Sequence, residues 1–281
     1  MHLLTPIPWI GRVWALPFFT VLAPSERYHL KRGKRHKKVT DWGRQMIKQL
    51  RRWLPYRRIV VVADSTYAVL DLLANCHHLT NPVTIVTRLR LDAALYDPAP
   101  ARKAGTTGRP RVKGERQPTL AERVSDRATR WETVTVQWYG GRRREVEVST
   151  GTGVWYHSGM TPVALRWVLV RDPQGRFETQ ALLCTDQEVT AIQIVEWFVM
   201  RWQLEVTFEE ARAHLGIETQ RQWSDLAIAR TTPLLLGLFS LVTLLAAQLS
   251  QYARAAVLTV SWYHKSHPTF VDALAAVRRQ I

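Results

Sequence analysis

Through residues 189–216 (VTAIQIVEWFVMRWQLEVTFEEARAHLG) apolar positions recur at helical spacing, with no Pro or Gly before Gly216. The pattern predicts one helix of about 26 residues, entered near Thr185 or Asp186 and stopped by Gly216. At about 100° per residue, Phe198, Arg201, Glu205, Glu209 and Arg212 fall within a sector of about 60°. Ile192, Val195, Val199, Trp202, Val206 and Phe208 supply an apolar surface broad enough to lie on a sheet. Two readings of the polar side stand open. Arg201 and Glu205 form an i,i+4 ion pair on a solvated face, worth a few tenths of a kcal/mol, or Glu205 is a working carboxylate at the edge of a core.

Elsewhere the period changes. Two apolar runs around Gly11-Arg12 predict a hairpin at one side of a sheet. After a basic stretch, residues 41–55 (DWGRQMIKQLRRWLP) place Trp42, Met46, Ile47, Leu50 and Leu54 at helix spacing, with Thr40 or Asp41 as N-cap. The β-branched run at 59–62 predicts a strand buried on both faces, ended by Ala63-Asp64-Ser65 before a helix over about 66–74. TIVTRL at 84–89 predicts the next buried strand. Residues 97–118 are rich in Gly, Pro, Lys and Arg without an apolar period, which predicts a mobile basic loop. Beyond a short helix at 119–127, alternating runs at 131–139 and 142–150, and then on either side of Pro173-Gln174-Gly175, predict two hairpins. Residues 233–247 (PLLLGLFSLVTLLAA) predict a buried helix, being short of the ~20 apolar residues that a membrane span needs.

Charge narrows the partner. Lys plus Arg number 39 against 23 Asp plus Glu, a formal +16, which favours a polyanion over a small neutral ligand. The densest run, 31–38 (KRGKRHKK), offers Lys31, Arg32, Lys34, Arg35, Lys37 and Lys38 for phosphate contact, though a solvated loop would look the same. Arg88, Arg109 and Arg111 are further candidates, the last two within a GRPR segment of the kind that enters minor grooves. Asp64 stands at the C-terminal end of a strand, where open α/β sheets place their ligands; it would equally serve as the cap of the following helix. Cys76 and Cys184 are far apart and have no CxxC or Cys/His spacing, so neither a disulfide framework nor a zinc site is indicated. No GK[ST] element is present, which excludes a phosphate loop for a nucleotide cofactor. With 46% hydrophobic and 22% charged residues and no signal-peptide pattern at the N-terminus, a folded cytoplasmic protein is expected.

The order Phe198, Arg201, Glu205, Arg212, with the local string RWQLE and the downstream QRQWSDLAIARTTPLLLGLFSLVTLLA, resembles the helix signature of the DDE transposases of bacterial insertion sequences. That group usually shows Tyr, Arg, Glu and Lys there, so Phe198 and Arg212 are departures. The resemblance runs from about residue 8 to about residue 250. It implies a ribonuclease-H-like α/β fold, a mixed sheet flanked by helices, with a β-rich insertion before the signature helix. Residues 1–96 would form the first part of the core, 97–184 the basic loop and insertion, 185–250 the second part, and 251–281 a basic C-terminal segment, peripheral from Ser261 on.

It also implies DNA cleavage and strand transfer on double-stranded DNA, at element ends and target, by a homodimer, with two Mg²⁺ or Mn²⁺ ions held by carboxylates. Asp64 and Glu205 match the second and third acidic residues of the family's triad and would be the metal ligands. Arg201 and Arg212 would steady phosphates, and Trp202 resembles an aromatic position near the site. The first acidic residue of the triad has no counterpart, since residues 1–22 contain no Asp or Glu. The expectation is therefore a chain truncated at its N-terminus and lacking the first core strand. The alternative is a non-catalytic DNA-binding remnant that occupies element ends or modulates a full-length transposase. The resemblance also implies a bacterial, nucleoid-associated location, and no membrane partner is expected.

Overall fold

The computed structural model describes residues 1–102, 105, 107–219, 221–222, 224–249, 265 and 267–280. These divide into two compact units, one of residues 25–199 and one of residues 1–24 with 200–281.

The first unit is built on a seven-stranded sheet. In chain order its strands are β3 (Val60–Val62), β4 (Thr84–Leu89), β5 (Leu95–Tyr96), β6 (Glu132–Gln137), β7 (Arg143–Trp155), β8 (Val163–Arg171) and β9 (Gln180–Cys184). They lie in the order β3-β4-β9-β8-β7-β5, with β6 also on β7. β3 and β4 run parallel, Val60 opposite Thr84, and the other pairs are antiparallel. Alternation decides which face is dry. Val134 and Val136 of β6 and Val146 and Val148 of β7 turn inward while Glu132, Thr135 and Gln137 face water, as a half-solvated antiparallel ribbon requires. Helix α5 (Ala191–Met200) closes this core with Ile194, Val195, Phe198 and Val199. The unit also contains α1 (Glu26–Leu30), α2 (Val39–Trp53), α3 (Leu70–His77) and α4 (Leu120–Ser125). Arg51, buried near the end of α2, donates to the carbonyls of Leu54, Arg57 and Pro82 at 2.9, 2.7 and 3.1 Å; this cation ties the loop before β3 to the helix.

The second unit combines the hairpin β1 (His2–Ile7) and β2 (Arg12–Pro17) with α6 (Gln203–Leu215), α7 (Asp225–Gln248) and α8 (Phe270–Arg278). Ile7 and Leu16 meet Ala211, Leu236, Phe239 and Phe270 in one core. The rings of Phe239 and Phe270 stack with centroids 4.1 Å apart. Thr207 Oγ1 donates to the Ala15 carbonyl at 2.8 Å and Ser240 Oγ to that of Pro17 at 2.6 Å, fastening both helices to the hairpin's backbone.

The α/β class with a mixed sheet flanked by helices is the one expected, and the two hairpins predicted between 131 and 186 form, as β6–β7 and β8–β9 of the one sheet. Several particulars differ. The predicted 26-residue helix is two, α5 and α6, separated at Arg201-Trp202. There Leu204 N and Glu205 N donate to the carbonyls three residues back, each at 3.0 Å, a tightened 3₁₀ turn. No breaker residue causes this; α5 buries its apolar face in one core and α6 in the other. The β1–β2 hairpin is a two-stranded sheet of its own rather than one side of a larger sheet.

β3 ends the sheet's strand order and is only half-buried, not enclosed on both faces. The helix expected after it starts later, at Leu70, behind a 3₁₀ turn over Ser65–Tyr67. α2 begins one residue before Thr40, with Lys38 at its cap position and Asp41 accepting from the Lys38 amide at 3.2 Å. The far end of the basic loop is anchored: the Asp97 amide donates to the Glu115 carbonyl at 2.8 Å, and the Lys113 ammonium stands 3.3 Å from the centroid of Tyr96. Helix α7 carries no charge from Pro233 to Ala247, the segment expected to be buried, but only one face of it is buried. At 24 residues it is long and apolar enough to cross a membrane by length and composition. Finally, α8 is not peripheral, since Phe270, Ala273 and Val277 are core residues.

Candidate functional site

Parallel pairing of β3 with β4 fixes where Asp64 emerges. Ala63 N donates to the Val86 carbonyl at 2.9 Å, the last rung of the pair, and the chain then turns over Ser65–Tyr67. Asp64 caps that turn, Oδ1 accepting from Thr66 N at 2.8 Å. Its carbonyl accepts from Thr87 Oγ1 on β4, a bond that pins the backbone at the exit of β3 to its neighbour. The carboxylate is exposed, and one oxygen remains for a ligand beyond the cap. Behind the turn, Tyr67 packs on α2 at Gly43. A Cβ there would stand 2.7 Å from Tyr67 Cε1, so the close approach of helix and ring depends on glycine. Burial, and then the nearby Asp64 charge, raise the Tyr67 phenol above its ordinary pKa, so the ring is a neutral wall.

The four signature residues are distributed over both units. Phe198 on α5 is 8% exposed and lines a cavity of about 250 Å³ with Trp138, Phe177, Arg144 and Arg176. Trp138 and Phe177 stack at 5.7 Å, and Arg144, held by Asp172 at 2.8 Å, covers both rings. In the other unit Arg201 Nη1 meets Glu205 Oε1 at 3.3 Å, the i,i+4 pair of the solvated-face reading, with the glutamate side chain 45% exposed. Arg212 is not brought to Glu205; its Nε donates to Glu218 Oε2 at 2.7 Å, just past the Gly216 stop of α6. Trp202 is 46% exposed. Structure thus joins Arg201 to Glu205 and separates Arg212 from both.

The basic stretch flanks α2. Lys31, Arg32, Lys34, Arg35 and Lys38 are exposed, and Lys37 lies over the Trp42 ring at 3.6 Å while bonding Gln45. Arg88 points to solvent from β4, two residues beyond the last β3 rung, and Arg109 and Arg111 are exposed on the basic loop. Of the tryptophans in the two hairpins, Trp155 and Trp167 are core residues, and Trp131 lies under Arg171 at 3.9 Å. Cys76 and Cys184 are buried thiols pushed up to about 11, chiefly by desolvation, which makes them inert.

A pair of hard divalent cations needs several carboxylate oxygens converging at 2.0–2.6 Å, as a general rule of such sites. Among the described residues no three His, Cys, Asp or Glu side chains are grouped to hold a metal. Asp64 and Glu205 belong to different compact units. Among the described residues, neither unit by itself groups the carboxylates of a two-ion centre.

What the sequence reading missed is the support under Asp64: Thr87, Tyr67 and Gly43. Thr87 is the polar position inside a buried strand, which is the one local sign that the backbone opposite needs a donor.

A family model described as DDE superfamily endonuclease matches residues 2–145, just over half of the chain. Asp64 and the basic stretch lie inside that match; Phe198, Arg201, Glu205 and Arg212 lie beyond it. No curated protein matches the chain. The matched stretch carries an exposed carboxylate at the end of a parallel strand in a mixed α/β unit, and this chain belongs to the DDE superfamily endonuclease family.

Proposed function

We propose that the chain is a transposase-type protein of an insertion sequence, acting on double-stranded element ends and target DNA by cleavage and strand transfer. The observation that carries this reading is Asp64: an exposed carboxylate, capped on one oxygen only, at the end of β3 inside the matched stretch. Glu205 is the second catalytic carboxylate of the proposal. Arg201 orients Glu205 through their ion pair, and Arg212 and Trp202, both exposed on or beside α6, face the phosphates and bases of the substrate. The cations of 31–38, with Arg88, Arg109 and Arg111, hold the DNA backbone without reading its sequence. DDE nucleases generally use divalent ions, and Mg²⁺ or Mn²⁺ is the proposed requirement.

Glu205→Gln tests the assignment. It keeps shape and removes charge, so DNA binding should change less than about twofold while Mg²⁺-dependent cleavage falls by at least about 100-fold, as loss of a catalytic group does. Equal loss of binding and cleavage would contradict the role given to Glu205.

One observation favours a second reading. With no group of three metal-ligating side chains among the described residues and Glu205 already paired with Arg201, the chain would bind DNA without cutting it, occupying ends or modulating a complete transposase. Salt-sensitive DNA binding with no cleavage under any divalent ion is its signature.

A further inference from the structure

The turn between α2 and β3 is exposed throughout and yet held fast. Residues 51–58 read RRWLPYRR, two aromatic rings and a leucine between arginines. Every residue from Arg52 to Arg58 is exposed, Trp53 at 53% and Tyr56 at 94%. Beneath them the buried Arg51 guanidinium donates to the carbonyls of Leu54, Pro55 and Arg57, and Asn81 Nδ2 donates to that of Pro55 at 2.8 Å. A guanidinium is costly to desolvate, and the acceptors of this one are backbone carbonyls. Its charge is buried to fix the backbone of a turn whose own side chains, from 52 to 58, stay in water. This knuckle stands before β3 and Asp64 stands after it, with Arg58 and Asp64 up to about 20 Å apart at 3.3 Å per strand residue.

We propose that the knuckle is a stacking platform for a single-stranded segment of DNA, separate from the basic stretch at the other end of α2. Charge and ring faces together select this occupant. Arg58 is held by Asp186 at 3.1 Å, whereas Arg52 and Arg57 have no ion pair among the described residues. Guanidinium groups without a carboxylate are placed to take phosphate oxygens, two hydrogen bonds at a time. Between them the Trp53 and Tyr56 rings meet solvent, and aromatic faces set among arginines are what unpaired bases stack on. A duplex keeps its bases stacked on one another and would meet the knuckle with its backbone alone, so the rings favour a strand. Rigidity serves the same end, because a platform already ordered loses less conformational freedom on binding. The inference rests on the reading that the chain acts on DNA, since a cut strand has ends that can unpair; it does not require that Asp64 do the cutting.

Fluorescence anisotropy of the full chain at fixed low salt tests it, with a labelled oligothymidylate of about 15 nucleotides and a duplex of the same length. Tyr56→Ala should weaken binding of the single strand at least about fivefold, as loss of one stacked ring does, and binding of the duplex less than about twofold. Tyr56→Phe, which keeps the ring, should bind the strand as the wild type does. So should Asp64→Ala, which separates a failure of the cleavage reading from a failure of this one. A second measurement uses the unaltered chain: photocross-linking to an oligonucleotide that carries 5-iodouracil should mark Trp53 or Tyr56. Unchanged single-strand affinity in Tyr56→Ala, equal weakening for strand and duplex, or cross-links confined to 31–38 overturns the proposal. So does flotation with phosphatidylserine vesicles that Tyr56→Ala abolishes while strand affinity is unchanged, which would make the knuckle a lipid-surface anchor.

Discussion

At the residue scale, Asp64 is held in place from both sides of its turn. Three contacts place it: the Thr66 amide on Oδ1, the Thr87 hydroxyl on its carbonyl, and Tyr67 packed against Gly43 behind the turn. Gly43 gives the sharpest test. A glycine inside a helix ordinarily gains about 1 kcal/mol on replacement by alanine. In α2 the new methyl would meet the Tyr67 ring at 2.7 Å, and overpacking costs about 1–3 kcal/mol. Gly43→Ala should therefore lower unfolding stability by about 1 kcal/mol, read from urea denaturation. A gain of about 1 kcal/mol would mean that the helix and the Asp64 turn are not in close contact.

Elements show which parts of the fold the sequence discloses. β4, β6–β9 and α2 could be placed from pattern, because a period of two with β-branched residues, or of 3.6 with a charged back face, has one physical interpretation. The break between α5 and α6 could not. No Gly or Pro marks Arg201-Trp202, and the division comes from two cores competing for one continuous apolar pattern. Asp64 and the Arg201–Glu205 pair could likewise be named from spacing, whereas the pairing of Arg212 with Glu218 depends on the chain reversal at Gly216, where Glu218 takes φ +65°. The half-exposed state of α7 was hidden for another reason: an uncharged apolar run such as 233–247 looks buried from sequence alone.

β1 carries a pH dependence that no pattern announces. His2 lies edge-on to Phe208 with ring centroids 5.4 Å apart, and its pKa is pushed down to about 4 by burial first and then by the adjacent chain terminus. Folded, the imidazole stays neutral down to that pH; unfolded, it takes a proton near 6.5. Stability is therefore lost as pH falls from about 7 to about 4, by roughly 1–3 kcal/mol from this group, with no further loss below. Comparing denaturation midpoints of the wild type and His2→Phe over that range isolates the term. Equal pH dependence of the two would contradict the burial of a neutral His2.

On the scale of the whole molecule, two compact units divide the catalytic candidates: Asp64 and the basic stretch in one, Arg201, Glu205 and Arg212 in the other. Membership of the DDE endonucleases rests on the part of the chain that contains Asp64. The central claim is that this carboxylate does chemistry on DNA rather than merely capping a turn. Its most direct test is Mn²⁺-dependent nicking of supercoiled plasmid by the purified chain at fixed low salt, with Asp64→Ala beside it. The account predicts nicking by the wild-type chain that falls at least about 100-fold in Asp64→Ala while DNA binding persists. Nicking that survives the substitution would contradict the assignment of Asp64, and binding without nicking by either chain would contradict cleavage and leave the DNA-holding reading in its place.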